Sequence, residues 1–262
     1  MNDPVMPFLA AAIALVALVF LQRWIHAHLH GVSLLLTGHP DWAVILYAVI
    51  LFPGVVLHEA SHWLTATLVG VRTGGVSLLP RRQPDGTLQL GYVEYYKGRT
   101  LGPIRESLIG AAPLIAGTAV ILFIGYRVFG VTSLSAAIQS GDIGILADAM
   151  AQIIATPNFL VWLYLLFAIS NAMLPSKSDR HALPAFFLWT GAVTVVVAFA
   201  TRDTALLDNL ARPVATLFGY LATAFFIAIA VDLLCMAGIG FLEWGLGRLR
   251  GMNVVYGPQA ND

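Results

Sequence analysis

Charged residues are scarce in this chain of 262 residues. Asp, Glu, Lys and Arg together make up 11% of the sequence, whereas hydrophobic residues make up 58% and the mean hydropathy is +0.81. Soluble domains carry about a quarter charged residues, so the composition excludes an ordinary soluble domain and indicates an integral membrane protein surrounded by a lipid bilayer. The formal net charge is zero, which argues against a nucleic-acid partner.

Cysteine is rare, and a signal-peptide pattern is missing. Cys235 is the single cysteine, which excludes an internal disulfide, and its apolar setting indicates an inert thiol. The N-terminal MNDP has no basic residue, and no small-residue cleavage site follows the first apolar run. We therefore interpret this run as an uncleaved span.

Long apolar runs are abundant. A helix needs about 20 apolar residues to cross a bilayer. The sequence predicts about six such spans, over residues 5–21, 42–69, 106–126, 158–174, 181–200 and 214–244. We expect an all-α polytopic membrane protein that forms a single membrane domain over residues 1–262.

Residues 70–98, between the second and third spans, show the only clear non-helical pattern. GVSLLP and GTLQLGYVEYY flank RRQPDG, in which Pro-Asp-Gly is a turn signal. Leu88, Leu90 and Tyr92 alternate with other residues and place apolar side chains on one side of a strand. The pattern predicts a short membrane-associated β-hairpin.

The distribution of basic residues predicts the orientation. If both termini are cytoplasmic, ten of the 14 Lys and Arg residues lie on the cytoplasmic side, as the positive-inside rule favours. Arg23, just after the first span, is a local signal in the opposite direction. We expect a multi-pass protein, in a bacterial-type plasma membrane, with both termini in the cytoplasm.

The stretch LHEASHW, residues 57–63, places three polar residues inside the second span. Residues four apart project from nearly the same helix face, so His58 and His62 can bind one metal ion. Glu59 follows about 100° round the helix and can accept a proton from a water molecule at that ion. This is the H-E-x-x-H pattern of zinc peptidases.

A structural polar cluster is the alternative interpretation of the same stretch, because the pattern is short and also arises by chance. In a bilayer this alternative is less favourable. A carboxylate at the centre of a membrane helix costs about 2.5–3.5 kcal/mol on insertion scales and usually serves a function. We therefore favour a metal site.

The fourth predicted span ends in SNAMLPSKSDRH, residues 170–181. Together with H-E-x-x-H on a membrane helix followed by GVRTGGVSLLP, this pattern resembles the intramembrane site-2 protease family. Members carry a later N-x-x-P-x-x-x-x-D-G motif whose aspartate is the third zinc ligand. Asn171 corresponds to the asparagine and Asp179 to the aspartate, whereas Pro175 lies one place late and Arg180 replaces the glycine. Ser61 likewise replaces the glycine of H-E-x-G-H.

Two other residues are alternatives to Asp179 as the third ligand. His181 lies two residues further along, and Asp232 lies inside the last span. Asp232 has a structural interpretation too, in which it bonds to a hydroxyl or an amide of a neighbouring helix. The alternate spacing of His26, His28 and His30 is weak evidence for a metal, and we expect these residues at the membrane interface.

The resemblance implies a zinc endopeptidase that cuts membrane-embedded helices near the cytoplasmic face. Residues 42–181 would form the protease-like core, with residues 1–30 and 201–262 as accessory spans and tail. Zn²⁺ would be held by His58, His62 and Asp179, with Glu59 as catalytic base and Asn171 orienting the substrate or the oxyanion.

The hairpin 70–98 would either hold an extended substrate by strand addition or only plug the bundle. The substrate would be a membrane protein with a transmembrane helix. A non-proteolytic scaffold of the same shape is the alternative function, and the sequence predicts no oligomeric state.

Overall fold

The computed structural model describes residues 6–78, 80–82, 88–95, 102–174, 204–252 and 254–256. Most of these residues are helical, and short antiparallel strands lie between the second and third helices. The elements are α1 Met6–Thr37, α2 Pro40–Leu68, β1 Thr73–Ser77, β2 Arg81–Arg82, β3 Leu88–Gln89, β4 Tyr92–Tyr95, α3 Pro103–Phe123, a π-helical turn Ile124–Val128, α4 Val131–Ser140, α5 Ile143–Ile154, α6 Phe159–Ser170 and α7 Thr204–Arg250.

Four of the described helices are long and apolar enough to cross a membrane, namely α1, α2, α3 with its π-helical turn, and α7. A fifth crossing is present if α5 and α6 count as one broken span, since they meet at an angle of 89°. This agrees with a polytopic helical membrane protein. The count of about six spans is not confirmed, because the predicted span 181–200 lies outside the described residues.

The predicted fourth span, 158–174, is shorter in the structure and follows a break in the chain. Only residues 159–170 form a helix, and the chain bends sharply before it. Pro157 follows α5 and disfavours helical backbone at the residue before it. Asn158 then takes a left-handed conformation with φ 57°, which asparagine tolerates better than most residues. Hydropathy alone did not reveal this break.

The strands form two antiparallel pairs within the predicted hairpin segment. β1 pairs with β4, with Ser77 opposite Tyr92, and β2 pairs with β3, with Arg81 opposite Gln89. The register shifts between Thr73 and Val76 in a bulge-like irregularity. The turn RRQPDG is only partly described, since residues 83–87 lie outside the described ranges.

Helices α1 and α7 run parallel to each other. The ring of Phe8, near the start of α1, lies 4.6 Å from that of Phe218 in α7. At the C-terminal ends of the two helices, Arg250 Nη2 donates to the carbonyl of Leu36 at 2.8 Å. Each membrane crossing reverses the chain direction, so two parallel spans at either end of the series require an odd number of crossings.

This packing disagrees with the prediction that both termini lie on one side of the membrane. The prediction assumed an even number of spans. Because α1 and α7 are parallel, the N-terminal end of α1 and the C-terminal end of α7 lie on opposite sides of the membrane. Hydropathy locates the apolar spans but does not show which helix faces pair. The topology therefore has to be taken from the contacts between helices.

Candidate metal centre

Helix α2 brings the two motif histidines together. His58 and His62 lie one turn apart, and their Nε2 atoms are 3.1 Å apart. The helix continues through Pro53 without ending. Gly54, one turn before His58, allows α6 to approach, because a Cβ at this position would lie 1.9 Å from the carbonyl oxygen of Ala168.

Backbone carbonyls fix both imidazole rings through their other nitrogen. Nδ1 of His58 lies 2.6 Å from the carbonyl oxygen of Ala172, and Nδ1 of His62 lies 2.9 Å from that of Ile109. A carbonyl only accepts hydrogen bonds, so each Nδ1 carries the proton. In the neutral tautomers the lone pairs of the two Nε2 atoms therefore face each other.

This arrangement fits a divalent metal ion. Zn–N bonds of about 2.0–2.1 Å in a tetrahedral site place two ligand nitrogens about 3.3 Å apart, close to the observed 3.1 Å. Facing lone pairs repel, and a cation between them, either a metal ion or a shared proton, offsets that repulsion. Binding of Nδ1–H to a carbonyl is also how metal-ligating histidines are commonly oriented.

The predicted third ligand, Asp179, is not among the described residues. Within the described ranges no group of three His, Cys, Asp or Glu side chains is arranged to hold a metal ion. Asp179 and the alternative His181 both lie in residues 175–203, outside the description. The two histidines thus form the described part of the candidate centre.

Glu59 is buried beside the hairpin, with 7% of its surface exposed. Gly91, between β3 and β4, packs directly on it, because a Cβ at Gly91 would lie 2.9 Å from Glu59 Cγ and 3.1 Å from Oε1. The same Cβ would meet the carbonyl oxygen of Ser77 at 3.1 Å. Only glycine allows the strand connection to pass this close to the carboxyl group.

Asn171 ends α6 and is engaged by Asp232 from α7. Asn171 Nδ2 donates to Asp232 Oδ1 at 2.9 Å, and Ser170 Oγ donates to the same oxygen at 2.8 Å. These hydroxyl and amide partners are the ones that the structural interpretation of Asp232 predicted. The expected role of Asn171 toward a substrate is not visible in these contacts.

Helix α1 contributes polar contacts that the sequence reasoning missed. Gln22 Nε2 donates to the carbonyl of Ser170, and Nε2 of His26 lies 3.2 Å from the carbonyl oxygen of Asn171. The Tyr47 hydroxyl lies 2.5 Å from Nδ1 of the same ring. His26 therefore packs between helices, a contact that the expectation of an interfacial residue did not include. Its spacing of four from Gln22, on one face of an apolar helix, was the available signal.

Known protein families, curated proteins and solved structures show no match to this chain. The resemblance to site-2 proteases accordingly rests on the motifs at residues 58–62 and 171–179. The geometry adds a chemical argument that does not depend on the resemblance. In this geometry the imidazoles of His58 and His62 are oriented so that one cation can bind both. The buried carboxyl group of Glu59 follows His58 directly in the same helix.

Proposed function

We propose that this chain is a zinc-dependent endopeptidase that cleaves transmembrane segments of other membrane proteins. The observation that carries the proposal is the pair of facing Nε2 atoms of His58 and His62, each ring being fixed by a backbone carbonyl. Orientation of a ligating histidine by a hydrogen bond from its other ring nitrogen is the usual arrangement at metal sites.

His58 and His62 would hold the metal, and by resemblance Asp179 would complete its protein ligands. Zinc in this position supplies Lewis-acid polarisation of the scissile carbonyl and activates water at neutral pH. Glu59 then removes a proton from the attacking water and returns it to the leaving amine. Its burial and its position next to His58 support this role.

Asn171 is the least direct of the proposed catalytic residues. Its Nδ2 is used by Asp232, whereas its buried Oδ1 has no hydrogen-bond partner among the described residues. To orient a substrate or an oxyanion through Nδ2, the side chain would have to leave Asp232. We therefore place Asn171 at the edge of the proposed reaction centre.

The proposed cleavage position is near the cytoplasmic face. His62 lies six residues before the end of α2 at Leu68, close to the connection that leads to α3. This connection is the most basic part of the chain, with Arg72, Arg81, Arg82, Lys97 and Arg99. The positive-inside rule assigns such a connection to the cytoplasm.

The decisive experiment replaces Glu59 with glutamine in the full chain, purified in detergent. Glu59 is not a ligand in this scheme, so Glu59→Gln should keep one Zn²⁺ per chain while removing the base. A positioned acid–base group supplies about 10²–10⁴-fold in rate. Cleavage of a membrane substrate that accumulates in a deletion strain should fall at least 100-fold, as measured by quantitative immunoblotting.

Glu243→Gln is the matched control, because Glu243 is another carboxylate of the bundle, paired with His28 on α1. It should leave cleavage near the wild-type rate. If the Glu59→Gln protein returns the deletion strain to the wild-type phenotype, hydrolysis is not the function. The scaffold alternative would then be preferred, since an isosteric amide preserves shape and partner contacts.

A further inference from the structure

We propose that Asp232 is a positioning residue for the metal centre, acting through the turn that ends α6. This inference rests on the proposed zinc site and extends it to α1 and α7, which the motif resemblance does not cover. In outline, Asp232 fixes Ser170 and Asn171, and the next residue, Ala172, orients His58. Each link is a contact between described residues.

The first link is the attachment of the turn to α7. Asp232 is fully buried, and its Oδ1 accepts hydrogen bonds from Ser170 Oγ and Asn171 Nδ2 at 2.8 and 2.9 Å. A carboxyl group inside a membrane helix is costly and is retained where it serves a specific contact. Two donors converging on one oxygen hold the side chains of consecutive residues in one arrangement.

The second link is the attachment of the same turn to α1. The carbonyl of Ser170 accepts from Gln22, and the carbonyl of Asn171 lies against Nε2 of His26. His26 is in turn held by the Tyr47 hydroxyl. The turn is thus held through its side chains by α7 and through its backbone by α1.

The third link connects the turn to the metal ligand. Ala172 follows Asn171 in the chain, and its carbonyl oxygen lies 2.6 Å from His58 Nδ1. It sets the rotation of the ring and the direction of Nε2. Removing partners that orient a ligating histidine typically weakens metal affinity about 10–100-fold. Asp232 acts one step further out, so we expect an effect of about tenfold.

Two substitutions at Asp232 distinguish three possibilities. Asp232 positions the metal centre, it binds the metal directly, or it has no role there. Asp232→Asn keeps an acceptor oxygen for Ser170 and Asn171, whereas Asp232→Leu removes it at similar size. We expect Zn²⁺ affinity near wild type in Asp232→Asn and about tenfold weaker in Asp232→Leu. Affinity is measured by competition with a chelator on the full chain in detergent. The visible spectrum of Co²⁺ bound in place of zinc should change only in Asp232→Leu, because it reports ligand geometry.

Glu243→Leu is the control for simple loss of packing, since Glu243 is another carboxylate of α7 and contacts His28 of α1. It should reduce thermal stability without changing zinc affinity or the Co²⁺ spectrum. Asp179→Ala provides the benchmark for losing a ligand and should weaken binding far more than Asp232→Leu.

The outcomes are distinct. Equal large losses in Asp232→Asn and Asp232→Leu would make Asp232 a ligand and overturn the inference. Unchanged affinity in both, with a zinc-binding wild type, would overturn the inference and leave the proposed function standing. A wild-type chain that binds no zinc would overturn both. If Asp232→Leu does not fold, Gln22→Leu decides, since weaker affinity there supports the role of the turn and unchanged affinity contradicts it.

Discussion

Two histidine clusters of the bundle use the same side chain in different ways. At the candidate metal centre, His58 and His62 bind backbone carbonyls through Nδ1 and direct their Nε2 atoms at each other, 3.1 Å apart. Between α1 and α7, His28 instead bonds to Glu243 Oε2, and the Tyr256 hydroxyl donates to the other oxygen of that carboxylate. The His28 ring also stacks on Trp24 at 3.9 Å.

The difference shows what distinguishes a candidate metal ligand from a structural histidine. In the second cluster, a carboxylate is the partner of the histidine, and a tyrosine hydroxyl binds the other carboxylate oxygen. In the first, backbone carbonyls bind both rings at Nδ1, and the two Nε2 atoms are directed at each other. The signature of a metal site is therefore the direction in which the rings are held, more than the presence of histidines in an apolar helix.

The largest effect, a loss of zinc binding, is expected when a metal ligand is replaced. His58→Ala or His62→Ala should abolish zinc binding by the purified chain, because a single remaining imidazole cannot chelate. His28→Ala should retain one Zn²⁺ per chain and show only reduced thermal stability. Metal content measured by atomic absorption after dialysis checks both. Zinc retained equally in all three variants would mean that the facing nitrogens are not the binding site.

An intermediate effect concerns the packing of α6 on α2. Gly54→Val would force a Cβ into the carbonyl of Ala168, 1.9 Å away in the present geometry. Overpacking typically costs about 1–3 kcal/mol, and displacement of α6 would also move the Ala172 carbonyl from His58. We expect lower thermal stability together with weaker zinc affinity.

Gly219→Val is the control for Gly54→Val, because nothing lies within 4 Å of a Cβ at Gly219 on α7. It should change neither thermal stability nor zinc affinity. Normal zinc affinity in a folded Gly54→Val protein would show that the position of α6 does not govern the ring of His58.

The smallest expected effect lies in the His28 cluster. Glu243→Gln removes one charge from a partly exposed ion pair, for which losses of about 0.2–1 kcal/mol are usual. Burial, and then the hydrogen bond and charge of Glu243, raise the pKa of Tyr256 above its ordinary value. A raised pKa means that the neutral phenol stabilises the fold at neutral pH and that this contribution is lost only as the phenol ionises in alkali.

Glu243→Gln should therefore lower the pKa of Tyr256 toward the ordinary tyrosine value of about 10. The measurement is the phenolate absorbance of the full chain during alkaline titration, with Tyr256→Phe identifying the contribution of this residue. An unchanged titration curve in Glu243→Gln would show that burial alone raises the pKa.

Much of the fold was accessible from the sequence because hydropathy and i,i+4 spacing are local properties. Together they give the approximate positions of the long apolar helices and the shared face of His58 and His62. The contacts that orient these rings were not accessible, since they use backbone carbonyls of Ile109 and Ala172, 47 and 114 positions away. Every residue has a backbone carbonyl, so the sequence does not show which one binds a histidine. The parallel pairing of α1 and α7 could not be predicted for a similar reason, because the apolar faces of different helices have similar sequences.

Helix α7 is longer than a bilayer is thick. Its 47 residues extend about 70 Å at roughly 1.5 Å per residue, whereas the hydrocarbon core measures about 30 Å and a helix tilted by 40° crosses it in about 39 Å. Since the stretch from Phe218 to Arg250 runs along α1, the preceding turns extend beyond the start of that pairing. The beginning of α7 thus extends past the start of its pairing with α1, on the side where α1 begins and α2 ends.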